Sequence, residues 1–172
     1  MRQGFQGIAK WLYARAENVL AAMLAVMFAV FLVQIVFRYA LNLPIGWTNE
    51  ISSILWVWLV LWGAAFVLRE REEIRFDLLF GMVGPRGRRN MFLASAVSII
   101  LLYGISLPAV TDYVAFMKVE KTAYLKIRMD WLFSIYVLFV LAILARYLWL
   151  SWQALRGAAP AEVDPTKAAS GV

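Results

Sequence analysis

Arg38 and Glu50 stand twelve positions apart, at the facing ends of two long apolar runs, with Pro44 between them. The chemistry open to them is electrostatic. A helix ending at Arg38 presents carbonyls that favour a cation, and a helix opening at Glu50 presents amides that favour an anion. An Arg38–Glu50 ion pair would also close the hairpin between the two runs; direct contact of these charges with an external partner is the alternative. Other chemistry is short of reagents. The chain contains no Cys, which excludes a disulfide framework and a thiol redox cycle within it. It contains no His, the commonest haem and zinc ligand. Quinone, haem and disulfide-exchange functions are therefore disfavoured, and neither cofactor nor metal is expected in this chain.

The elements that must position these charges are four apolar runs, Val19–Phe37, Ile51–Leu68, Met91–Val110 and Trp131–Ala145, and none contains Asp, Glu, Lys or Arg. A hydrocarbon core of about 30 Å needs roughly 20 apolar residues at 1.5 Å rise each. The first three runs meet that length. The fourth reaches it by continuing past Arg146, a long side chain that can snorkel to the headgroups, as far as Trp152. With 63% hydrophobic and 16% charged residues, the chain could not clothe four such helices in polar surface. The expected fold is an all-α integral membrane protein with four transmembrane helices, spanning about 19–37, 51–68, 91–110 and 131–152. The first run is too long for a signal-peptide core and lacks a small-x-small site before Arg38, so it is expected to stay as a span.

Lys and Arg orient the bundle. The N-terminal segment, the second connection and the segment from Arg146 carry three, six and three of them; the first and third connections carry one and four. Both termini are thus expected on the cytoplasmic side. The net charge of +6 then serves topology and anionic headgroups, and nucleic acid is not an expected partner. Residues 1–17 read as a cytoplasmic interfacial helix, because Phe5, Ile8, Ala9, Leu12 and Ala16 recur at helical spacing. Ile74, Leu78, Leu79 and Met82 suggest a second short surface helix over 74–83, ended by Gly84-Pro85. Residues 156–172 read as a disordered cytoplasmic tail, and 18–155 as the membrane domain.

Trp56, Trp58 and Trp62 lie within the second run, with Gly63 beside them. A mid-membrane indole facing lipid leaves its N–H without an acceptor. A protein partner at this face, or packing against the other three helices, would each supply one. Gly63 would permit close approach of a helix.

At the outer hairpin the chain resembles a family, the small membrane subunits (DctQ-like) of tripartite ATP-independent periplasmic (TRAP) transporters. The resemblance rests on Phe37-Arg38-Tyr39 ending the first span, Pro44, Trp47-x-x-Glu50 opening the second, then Trp58 and Gly63, and continues through Arg69 and Ile74-Arg75-Phe76-Asp77-Leu78. The motif is confined to roughly 37–80, while the four-span layout extends from about 15 to 155. Asn49 stands where members often carry a first of two acids, Glu73 replaces a frequent His, and no Pro precedes the fourth run in Ala123–Trp131.

The resemblance implies a component of a secondary transporter in the bacterial inner membrane. In such systems a periplasmic binding protein captures an organic acid and docks on a membrane pair. The large subunit holds the substrate and Na⁺ sites, and the small subunit is its scaffold. Trp56, Trp58, Trp62 and Gly63 are then expected to face the large subunit. Asp112, Lys118, Glu120, Lys121 and Asp130 would offer charge complementarity to the binding protein. A membrane anchor or assembly factor would share the clean spans. A self-contained homodimeric exporter would be expected to place an acid in a span, and the first run offers only Gln34.

Overall fold

A computed structural model of the chain describes residues 2–43, 45–68 and 84–156. The described elements are helical, with one isolated antiparallel bridge between Lys121 and Arg128. Helix α1 runs Arg2–Ile35 and passes into a π-helical turn, Val36–Ala40. Helix α2 runs Trp47–Trp62 and likewise ends in a π-helical turn, Gly63–Val67. Helix α3 covers Pro85–Phe116 and tightens into a 3₁₀ turn, Met117–Val119. Helix α4 covers Met129–Leu155. Four helical stretches, Trp11–Ala40, Trp47–Val67, Arg89–Val119 and Met129–Leu155, are long and apolar enough to cross a membrane. The all-α fold with four membrane-crossing helices is the one the composition predicts.

The helices outrun the apolar runs that define them. The 34 residues of α1 span about 51 Å at 1.5 Å each, well beyond a hydrocarbon core. The amphipathic stretch expected over 1–17 as an interfacial helix leading into the first span is continuous with it, with no Gly or Pro between Ala14 and Leu20 to break the helix. Arg146 is half-buried inside α4, which continues nine residues beyond it to Leu155. The surface helix expected over 74–83, the tail from 157 onward and Pro44 lie outside the described residues.

The chain divides into two compact units, residues 1–68 with 109–139, and residues 69–108 with 140–172. In the first unit α1 packs along α2. The small residues Ala16 of α1 and Ala65 at the end of α2 are buried in this unit, together with Thr48, Thr122 and Ile135. Gly63 faces Leu20 of α1, where an added Cβ would lie 3.5 Å from Leu20 Cδ1, an ordinary contact. In the second unit Phe92 and Ala96 of α3 and Val140, Ile143, Tyr147 and Ala154 of α4 are buried. Large apolar side chains such as Phe28, Leu102 and Ile105 are exposed at the middles of their helices. That pattern suits a solvent of acyl chains, since burying them against protein gains little over leaving them in lipid.

Candidate functional site

The described structure concentrates its polar contacts at the end of the first unit where α2 opens and α3 meets α4. Residues 120–129 form a tight hairpin there. The Met129 N–H donates to the Glu120 carbonyl (3.0 Å) and the Thr122 N–H to the Ile127 carbonyl (2.9 Å). The Thr122 hydroxyl accepts the Ile127 N–H at 3.1 Å, and the Thr122 side chain is buried. Lys126 takes the left-handed conformation (φ 53°) that the reversal demands. Arg128 donates to both oxygens of Asp130, from Nε at 3.1 Å and from Nη2 at 2.6 Å.

Glu50 holds this hairpin. One carboxylate oxygen accepts the Tyr124 N–H at 2.7 Å and the other the Leu125 N–H at 3.0 Å. Two successive backbone N–H groups converging on one anion form a nest, a concavity suited to negative charge. The first turn of α2 adds its own favourable dipole to the same carboxylate. Below it, Thr48 is fully buried, and its hydroxyl donates to the Ile45 carbonyl at 3.1 Å. The ring of Tyr124 lies directly over Gly46, in space that a Cβ would occupy. The Trp47-x-x-Glu50 motif is thus a clamp, but it grips the connection between α3 and α4.

This corrects the expected Arg38–Glu50 pair. Both carboxylate oxygens of Glu50 are committed to the hairpin backbone, and the Arg38 guanidinium lies over the neighbouring Tyr39 ring, 6.0 Å from its centroid. The π-helical turn explains the separation. The Leu41 N–H closes on the Val36 carbonyl at 3.3 Å, an i to i−5 bond, and Leu43 on Phe37 at 3.0 Å. The wider turn carries Phe37, Arg38 and Tyr39 round the end of α1 with none of them buried.

The three tryptophans in the body of α2, Trp56, Trp58 and Trp62, separate into two classes. The Trp58 indole N–H donates to the Leu132 carbonyl in the first turns of α4 (3.0 Å), and Trp62 donates to the Ala16 carbonyl of α1 (3.2 Å). Trp62 also packs on Phe66, with ring centroids 4.7 Å apart. The polar atoms that would have called for an outside partner are therefore satisfied within the chain. Trp56 points away and is 59% exposed. At the other end of the α1–α2 pair, the Tyr13 hydroxyl donates to the Val67 carbonyl at 2.9 Å. Nothing in the sequence singled out Tyr13, because its acceptor is a main-chain atom 54 positions away.

Of the charged residues expected to meet a docking protein, Glu120 and Lys121 are exposed on the hairpin, and Asp112 and Lys118 are exposed near the end of α3. Asp130 differs, with a side chain only 12% exposed and bound to Arg128.

Comparison with known proteins agrees with this architecture. The profile of the family described as "Tripartite ATP-independent periplasmic transporters, DctQ component" matches residues 9–157. Over 99 residues the chain is 26% identical to a protein of Haemophilus influenzae named "Putative TRAP transporter small permease protein". That match takes in 57% of this chain and 62% of the relative, so the chain spans somewhat less than two thirds of its length.

Proposed function

The chain belongs to the DctQ component family of tripartite ATP-independent periplasmic transporters, and on that footing we propose that it is the small permease subunit of a binding-protein-dependent, ion-gradient-driven transporter of organic acids. Such a chain is a transporter component and not an enzyme. Its part in transport is to scaffold the large membrane subunit, which would hold the substrate and the coupling Na⁺. The excess of Lys and Arg in the terminal segments and the second connection supports an inner-membrane protein with both termini in the cytoplasm.

The observation that carries the reading is the absence of any charged side chain from the four apolar runs, while the outer charges are built into a hairpin. Ion and substrate paths are usually marked by intramembrane ionisable groups. With Arg146 of α4 the charged residue that the fourth span encloses beyond its apolar run, the bundle offers mainly packing surfaces. Of the tryptophans in the body of α2, Trp56 is the one left for the large subunit, whereas Trp58 and Trp62 support the interface from within. The hairpin held by Glu50, with Glu120 and Lys121 on it and Asp112 and Lys118 beside it, is the surface for the periplasmic binding protein. Reconstituted uptake of candidate organic acids, with the large subunit and binding protein present, tests the reading. Transport that proceeds equally well without this chain overturns it.

A further inference from the structure

Beside the hairpin, α3 and α4 enclose an open groove of about 460 Å³, lined by Thr111, Val114, Lys118, Asp130, Trp131 and Ser134 among others. We propose that this groove binds one phospholipid with a monoanionic headgroup, of the phosphatidylglycerol class, with its phosphate at Lys118. The proposal rests on the chain lying in a bilayer and is independent of any role in transport.

Charge selects the headgroup. The groove brings Lys118 and Asp130 to its mouth; Arg128 binds both oxygens of Asp130, which is largely covered, and Lys118 lies within electrostatic reach of the same carboxylate, so these three groups sum to one positive charge. The Ser134 hydroxyl is turned back to the Trp131 carbonyl at 2.7 Å. Lys118 is exposed and makes no salt bridge among the described residues, so its ammonium is open to a further anion. Lys118 sits in the 3₁₀ turn that ends α3, where an interfacial ammonium meets phosphate.

Depth selects the rest of the ligand. Thr111, Val114 and Lys118 form one stripe on α3, and the seven residues from Lys118 to Thr111 descend about 10 Å. That distance is about a third of the hydrocarbon thickness, a depth occupied by glycerol and upper acyl chain. Trp131 stands at the edge, 68% exposed, as an interfacial ring that sets the groove at headgroup level. A soluble anion would satisfy Lys118 and leave the apolar part of the lining, Val114, Ala115, Trp131 and Val137, uncovered.

Native mass spectrometry of the full chain from detergent micelles, titrated with phosphatidylglycerol or phosphatidylcholine, tests the site. One phosphatidylglycerol is expected to be retained in preference to phosphatidylcholine. Lys118→Gln should weaken that retention about fivefold, the ~1 kcal/mol carried by one basic residue near a membrane surface. Ala115 also lines the groove, so Ala115→Trp, which fills it, should abolish retention while circular dichroism stays unchanged, and Lys121→Gln on the hairpin should leave it intact. Equal retention of both lipids overturns the proposal. So does undiminished binding in Lys118→Gln and Ala115→Trp, or an equal loss in Lys121→Gln, which would mark a diffuse surface charge effect.

Discussion

The Glu50 carboxylate accepts the backbone N–H of Tyr124 at 2.7 Å, across 74 positions of sequence. The contact joins the opening of α2 to the hairpin between α3 and α4, and the ring of the same Tyr124 covers Gly46 just before α2 begins. A family motif that reads as a helix start is thereby an inter-element lock. It fixes the shape of the surface proposed for docking.

Removing the lock should loosen the hairpin while sparing the spans. In Glu50→Ala the N–H groups of Tyr124 and Leu125 lose their acceptor and turn to water. Glu50→Gln retains one side-chain oxygen and loses the charge that strengthens both bonds. Hydrogen exchange at Tyr124 and Leu125 is expected to accelerate in the order wild type, Glu50→Gln, Glu50→Ala, with helical content unchanged. Identical exchange in all three would show that the hairpin holds itself.

Trp58 and Trp56 should respond oppositely to loss of the indole. Trp58→Phe removes the donor to the Leu132 carbonyl and should cost about 1 kcal/mol, the net value of one hydrogen bond. Trp62→Phe should behave alike toward Ala16. Trp56→Ala removes an exposed ring, leaving thermal stability of the isolated chain unchanged and weakening co-purification with the large subunit. Unfolding midpoints in detergent and a pull-down separate the cases. A Trp56→Ala chain that binds the large subunit normally removes this face from the interface.

Gly63 offers a sharper check on α1–α2 packing. Its backbone is helical, with φ −58° and ψ −48°, and an added methyl would rest on Leu20 at ordinary contact distance. Helix propensity then favours Gly63→Ala by about 0.5–1 kcal/mol. The expected result is a raised unfolding midpoint. A bulkier Gly63→Leu should lower it, because the extra atoms have no space between α2 and Leu20. A destabilised Gly63→Ala would mean that the two helices approach more closely than described.

The sequence revealed the spans because lipid imposes a composition that loops cannot share. Their ends were less legible: Trp11–Ala40 begins eight residues before the apolar run, since helical backbone continues wherever nothing stops it. The polar contacts were the least legible. Glu50, Trp58, Trp62 and Tyr13 all bond to main-chain atoms, which every residue carries, so no side-chain identity at position 124, 132, 16 or 67 announces the partner. An Arg opposite a Glu does announce itself, and at Arg38 and Glu50 that signal pointed to the wrong pair. Backbone amides presented by a turn competed better for the carboxylate than a flexible guanidinium whose ordering costs side-chain entropy.

Among the charges on and beside the hairpin, structural and binding roles should separate by salt and by position. Asp112 and Glu120 are exposed, so Asp112→Lys and Glu120→Lys should leave the fold intact and slow binding-protein-dependent uptake. Steering between exposed charges is screened beyond about 10 Å at 0.1 M ionic strength, so the difference from wild type should shrink as salt rises. Asp130→Lys acts differently, because it places two cations together where Arg128 now has a partner at 2.6 Å. It should disturb the hairpin itself, raising exchange at Met129 and Thr122, and the defect should persist at high salt. Uptake measured across ionic strengths for the three variants distinguishes these behaviours. Unaltered uptake in Asp112→Lys and Glu120→Lys at low salt would place docking elsewhere on the complex.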